Sequence, residues 1–326
     1  MGNGLYQLHA IVASYAQNHF DDSNEQANQQ DLRAAHEKAA QYYLQQAAKI
    51  CPPREKRRGI SDVQPLIEAT WQYCQAEQWH EAYNLIKREH IFSDLKRWGG
   101  NAILLDLYQL LLPSGKWKPE SMQAADIYDC LGKVYNTLGK NSEALQCYEK
   151  ALGIWREIGN RGGEGTTLNG LGSVYKVLGK KAEALKYYEE ALSIRREVGD
   201  RIREGETLSN LGVVYHYLGK KPEALSYYEQ ALSIRREVGD RYGEGITLWN
   251  IGVLYYEQVR YDVALACFLL ARSIFEEVQS PDRGKVQRWI DALRQAVGQN
   301  KFAASLAKVE LQAFQIVEQA LREEVR

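Results

Sequence analysis

Several residue groups in this 326-residue sequence have the types and spacing for chemistry. Gly139-Lys140, Gly179-Lys180 and Gly219-Lys220 carry the glycine–lysine pair of a phosphate loop, where backbone N–H groups and a lysine cradle phosphates. Each follows another glycine by seven positions rather than five, so none completes the loop, and all three read as helical-hairpin turns. Gly162-Gly163-Glu164-Gly165 is glycine-rich enough to approach a nucleotide but reads as a helix junction. Tyr187-Tyr188-Glu189-Glu190 offers the adjacent carboxylates of acid–base catalysis, yet it recurs in register along the chain, as a solvated helix face would. The six histidines form no HExxH motif and no pair at helical spacing, so no metal site is expected. His216 would need an orienting partner to act as a base. Cys51, Cys74, Cys130, Cys147 and Cys267 make no CxxC pair and are expected as reduced thiols, mostly in the core. The sequence predicts no enzyme, no cofactor and no metal centre.

What positions these residues is a repeat. Gly132, Gly172, Gly212 and Gly252 recur every 40 residues, as do Tyr135, Tyr175, Tyr215 and Tyr255. Ala144, Ala184, Ala224 and Ala264 form a third set in the same register, and Ala151, Ala191, Ala231 and Ala271 a fourth. Two breaks divide each unit. Gly199-Asp200 and Gly239-Asp240, with Gly159-Asn160 as a variant, place a left-handed helix stop before an N-cap acceptor. Leu-Gly-Lys at Gly139, Gly179 and Gly219 makes the second break, and Pro222 suits the first turn of the next helix. Each unit is therefore a helical hairpin, about 201–218 and 221–238 in the third. Ala224, Leu225, Tyr228, Ala231, Leu232 and Ile234 supply its apolar stripe. Gly212 and Ala224 are expected at the helix crossing, where larger side chains would wedge the helices apart.

Composition excludes further classes. The 41 basic and 42 acidic side chains give a formal net charge of -1, against a nucleic-acid-binding face. No run of 18 apolar residues exists, so no membrane partner is expected. The start lacks the pattern of a signal peptide, and the odd cysteine count argues against a disulfide scaffold. A cytoplasmic location is expected.

The Leu-Gly pair, the tyrosine three residues later, and the Ala, aromatic and Ala of the second helix resemble tetratricopeptide repeats. The 40-residue unit with Gly-Asp-Arg at its junctions is similar to the repeats of kinesin light chains and Pins-type adaptors. The resemblance covers about residues 124–278 and implies an all-α, right-handed superhelical solenoid. In the fourth unit Gln258-Val259-Arg260 replaces Leu-Gly-Lys and Phe268 replaces a tyrosine, so its turn is less well marked. The expected organisation is an N-terminal helical segment at 1–60, degenerate repeat-like helices at 61–123, four units at 124–280 and capping helices at 281–326. Tyr73, Trp79, Ala82 and Leu85 mark the degenerate hairpin, and Leu104 to Leu112 an apolar helix before a break at Pro113-Ser114-Gly115. A short helix at Tyr6–Val12, a polar stretch, and a helix at Ala34–Ala48 resemble the end of the winged-helix domain in STAND-class signalling NTPases. A plain helical cap is the competing reading of that segment.

The resemblance implies an extended or helical peptide held on a concave face lined by the first helices. The lining residues would be Asp126, Asp129, Lys133 and Asn136, then Thr166, Asn169, Ser173 and Lys176. Glu206, Asn210, Val213, His216 and Tyr217 follow, then Trp249, Asn250, Val253 and Tyr256. Adaptor repeats place an asparagine before the Leu-Gly pair; Asn210 and Asn250 match, Cys130 and Gly170 do not. Asp129, Asn169 and Ser209 occupy the positions where chaperone-binding repeats grip a terminal carboxylate, so that clamp is missing. Trp249 is expected to dominate binding, with packing against the terminal helices as its alternative role. Arg195, Arg196, Arg235 and Arg236 are expected in ion pairs within the array.

At the C-terminus, Phe302, Leu306, Val309, Ala313, Ile316 and Ala320 alternate at spacings of four and three. They predict one helix of roughly 35 Å at 1.5 Å per residue, which either caps the array or pairs two chains as a homodimer. The functional expectation is a non-catalytic scaffold for a protein or peptide partner, either the sensing arm of a STAND-type NTPase or a stand-alone adaptor. A self-assembly module is the alternative.

Overall fold

The computed structural model describes residues 25–113 and 117–324. The expected helix at Tyr6–Val12 and the break at Ser114-Gly115 lie outside these residues. Among the described residues the regular elements are sixteen α-helices and two short 3-10 turns, with no strand. The chain is an all-α, tetratricopeptide-like solenoid of helical hairpins. It divides into two compact units, one ending at Ile158 and one starting at Gly159.

In the first unit, α1 is Glu25–Ile50, α2 Gln64–Gln75, α3 Trp79–Arg88, α4 Ile91–Arg97, α5 Asn101–Leu110, α6 Ser121–Thr137 and α7 Asn141–Glu157. The degenerate hairpin at Asp62 to Glu89 is α2 and α3. α1 extends further back than the Ala34–Ala48 expectation, to Glu25 within the polar stretch, and buries Ala35, Ala39, Ala40 and Ala47. α4 has no counterpart in the sequence reading. A core of α2, α3, α5 and α6 side chains, including Leu66, Ile86, Leu104, Tyr108 and Leu131, joins these helices.

In the second unit, the hairpins are α8 Arg161–Val177 with α9 Lys181–Glu197, α10 Arg201–Tyr217 with α11 Lys221–Glu237, and α12 Arg241–Glu257 with α13 Tyr261–Glu277. Their ends fall on the expected breaks. Asp200 accepts a hydrogen bond from the Arg203 N–H at 3.1 Å and Asp240 one from the Gly243 N–H at 2.9 Å, so both satisfy helix-start donors. At the other break Gly179 and Gly219 both have φ of +73°, and the Lys220 N–H closes onto the Tyr215 carbonyl at 3.0 Å. The fourth repeat keeps this turn without glycine: Val259 adopts φ +63°, and the Arg260 N–H reaches the Tyr255 carbonyl at 3.0 Å.

The arginines pair as expected. Arg196 and Arg201 converge on the buried Glu204 at 3.0 and 2.6 Å, and Arg201 reaches Glu237 at 2.7 Å. Arg236, Arg241, Glu244 and Glu277 repeat the arrangement one unit later. The buried Arg195 donates to the Gly162 carbonyl at 3.0 Å and to Asp200 at 3.3 Å.

The C-terminal expectation needs correction. Three helices follow the last hairpin: α14 Arg283–Val297, α15 Gln299–Glu310 and α16 Ala313–Glu324. The predicted single helix breaks at Leu311-Gln312. Phe302 and Val309 of α15, and Ala313, Val317 and Ala320 of α16, all enter the core that contains Ala264, Phe268 and Phe275. The bend lets both halves of the seam bury apolar surface in one core.

Candidate functional site

The predicted lining falls in both units. In the first unit, α6 presents Asp126, Asp129, Lys133 and Asn136. Two of these are engaged elsewhere. Asp126 accepts from Lys87 Nζ at 2.9 Å and from the Tyr83 hydroxyl at 3.1 Å, tying α6 to α3. Asp129 leaves the lining altogether: it is 4% exposed and accepts from Trp155 Nε1 at 2.9 Å. A carboxylate beside the Leu-Gly pair reads as polar lining in sequence, but the indole of the second helix reaches it from 26 positions away. Lys133 and Asn136 are half-buried on the helix.

In the second unit, α8, α10 and α12 lie side by side and carry the remaining residues. Thr166 is used structurally, accepting from Arg195 Nη2 at 2.6 Å while donating to the Gly162 carbonyl at 3.0 Å. Asn169 is the hub. Its Oδ1 accepts from Asn210 Nδ2 at 3.2 Å and from the Thr207 hydroxyl at 3.4 Å, and its Nδ2 donates to Glu206 at 3.4 Å. The asparagines of adjacent repeats therefore bond each other, although they occupy different positions of the repeat. His216 pairs with Glu257 at 2.8 Å and stacks beside Tyr217, whose side chain is 61% exposed. Ser173 and Asn250 are half-buried on the same helices.

The remaining polar groups have unused capacity. Lys176 is half-buried, and burial alone pushes its ammonium below the usual lysine range; no carboxylate pairs with it among the described residues. Trp249 rests against the core together with Val213, Val253 and Tyr256. Its indole Nε1 is buried without an acceptor.

Trp289, on α14, is a neighbour that sequence reasoning missed. Its ring meets Tyr256 edge-on at 5.5 Å. It lies 40 residues after Trp249, so the repeat register extends one helix beyond the fourth unit. α14 packs on α13 as each first helix packs on the preceding second helix within this unit.

Among the described residues, no group of three or more His, Cys, Asp or Glu side chains could hold a metal ion. No described helix is long and apolar enough to cross a membrane.

The tetratricopeptide repeat family matches residues 123–197, 165–237 and 203–277. Residues 123–277 are tetratricopeptide repeats. No curated protein sequence matches the chain. Among solved structures, the chain is similar to a Rap protein complexed with competence and sporulation factor. The two share 12% identity at a TM-score of 0.53, covering 98% of each chain. It is similar to a STAND protein with a tetratricopeptide repeat sensor from Pyrococcus horikoshii, at 15% identity and TM-score 0.52. That likeness covers 98% of this chain but only 54% of the STAND protein. Aspartyl phosphate phosphatase F from Bacillus subtilis matches at 10% identity and TM-score 0.52, over 90% of this chain and 84% of its own. At these identities the likeness is one of fold.

Proposed function

We propose that the chain is a non-catalytic recognition scaffold that binds a peptide or protein segment on the first-helix face of its second unit. One observation carries this reading: the first helices of the second unit carry an ammonium without a counter-charge at Lys176, an exposed Tyr217, and the half-buried apolar residues Val213, Trp249 and Val253. The Lys176 ammonium matches the carbonyl-rich backbone of an extended segment, while the apolar residues take its side chains. The similarity to the Rap protein, whose structure contains competence and sporulation factor, agrees with a ligand-binding role. Aromatic anchors in such faces commonly contribute about 2 kcal/mol or more. Peptides selected from a random library against the full chain test the reading. Binding should weaken at least tenfold in Trp249→Ala and in Lys176→Ala. Selected peptides that bind both variants as tightly as the parent would remove this face from consideration.

The sensing arm of a STAND-type NTPase is the more specific form of the proposal, supported by the 98% coverage of this chain in the Pyrococcus horikoshii match. Ligand on the arm would then shift an attached ATPase between states. An in-frame phosphate loop in the coding sequence upstream of Met1 is the expected finding. Self-association is the competing reading, favoured by the exposed Leu311 and Phe314 at the α15–α16 corner.

A further inference from the structure

The first unit contains a slot between α2 and α5, about 470 Å³ in volume. Gln64, Ile67, Glu68 and Trp71 reach it from one face of α2, at the spacing of successive helical turns. Ile103 and Leu107 of α5 form the opposite apolar wall, with Asp106 beside them. Two carboxylates line the slot and no basic side chain does.

Glu68 is the anomaly. It is 6% exposed, and its Oε1 accepts from Gln64 Nε2 at 2.7 Å. Its Oε2 is buried with no partner. Burial pushes its carboxyl above the usual range, with the Gln64 bond opposing. Tyr43 of α1 is the other ionisable group that senses it, and burial together with Glu68 raises that phenol. A packing position would be filled more cheaply by an apolar side chain, because a buried carboxylate without a counter-charge is costly. A cation supplied from outside removes the cost. It offsets the charge of Glu68, whose side chain lines the slot, and Asp106 adds a second negative charge. The aliphatic and indole walls require an apolar body behind that cation. The volume is that of a small-molecule site.

We infer that this slot binds a small primary ammonium ligand with an apolar body, an alkyl or arylalkyl amine, seated with its nitrogen on Glu68. The site belongs to the first unit and is separate from the proposed peptide-binding face, so either can fail without the other.

Calorimetry on the full chain with hexylamine, 1-hexanol and hexanoate as probes tests it. Hexylamine should bind saturably and at least about tenfold more tightly than 1-hexanol, and hexanoate should not bind. Glu68→Gln should bring hexylamine down to the level of 1-hexanol while the thermal midpoint is kept or raised. The exposed Asp106→Asn should weaken hexylamine by a smaller factor, a check that does not depend on the buried substitution folding. The assignment is overturned by equal affinity for amine and alcohol, by no saturable hexylamine binding at millimolar concentration, or by a preference for amine that survives in Glu68→Gln.

Discussion

The Tyr228 ring lies across the backbone of Gly212, so close that a Cβ on Gly212 would stand 2.6 Å from the ring. Tyr148, Tyr188 and Phe268 cover Gly132, Gly172 and Gly252 in the same way. The 40-residue recurrence of glycine is therefore a recurrence of contact: the first helix omits a side chain where the second inserts an aromatic. Gly212→Ala should cost about 1–3 kcal/mol, and Gly212→Leu more, because the overpacked ring is fully buried. Gly153→Ala is the control. That glycine is helical and exposed, and a Cβ added there would meet nothing within 4 Å, so the change should stabilise by about 1 kcal/mol. Thermal or urea unfolding of the three variants measures this. Equal effects at positions 212 and 153 would contradict the contact explanation.

The fourth hairpin shows what happens when the turn residue is wrong. Val259 sits at φ +63° where Gly139, Gly179 and Gly219 occupy the same turn. A β-branched residue in the left-handed region costs about 1–2 kcal/mol relative to glycine, and its exposed side chain gains little from packing. Val259→Gly should therefore raise the midpoint of unfolding, despite the greater freedom glycine brings to the unfolded chain. A lowered midpoint would mean that the valine makes a compensating contact.

These two cases explain which parts of the molecule were legible in its sequence. Hairpin boundaries depend on neighbours along the chain: Gly219 stops a helix and Asp200 starts one with bonds spanning three to five residues. Leu311-Gln312 contains no such punctuation, and the chain bends there because both halves dock on the last hairpin. The candidate site divides similarly. The 40-residue register places Asn210 and Trp249 on first helices, while Trp289, one period further on, was missed because the landmark residues stop at the fourth unit. It gives no sign that Asp129 is taken by Trp155, a partner on another helix.

Glu68 gives a pH dependence of defined sign. Its folded-state pKa is raised by burial, so its contribution to stability is fully present below the unfolded carboxyl value and is lost as pH rises through the folded one. Glu68→Gln should accordingly be more stable than the parent at neutral pH, by about 1 kcal/mol or a few degrees. The advantage should vanish below about pH 4, where a glutamate is neutral in both states. Midpoints of the two proteins measured across this range should converge in acid; curves that run parallel would show that charge at Glu68 is not the cause.

The C-terminal helix α16 makes the last test. It is held by more than apolar contact: Glu318 pairs with Arg236 at 2.6 Å, Phe314 lies under the Arg236 guanidinium, and the Tyr255 hydroxyl donates to the Ala320 carbonyl at 3.3 Å. Removing α16 strips Val317, Ala320 and Leu321 from the core and uncovers Tyr255, which is otherwise fully buried. A chain ending at Gln312 should therefore unfold at lower temperature and aggregate through the bared surface. Leu311 is different. It is 90% exposed at the α15–α16 corner, with Phe314 also exposed. If two chains associate there, Leu311→Ser should give a soluble monomer at an unchanged melting temperature, since the side chain is not part of the intramolecular core. Light scattering on the parent, the truncation and Leu311→Ser separates the roles. A dimeric Leu311→Ser would exclude this corner as the seam, and a truncated chain as stable as the parent would show that α16 is not a cap.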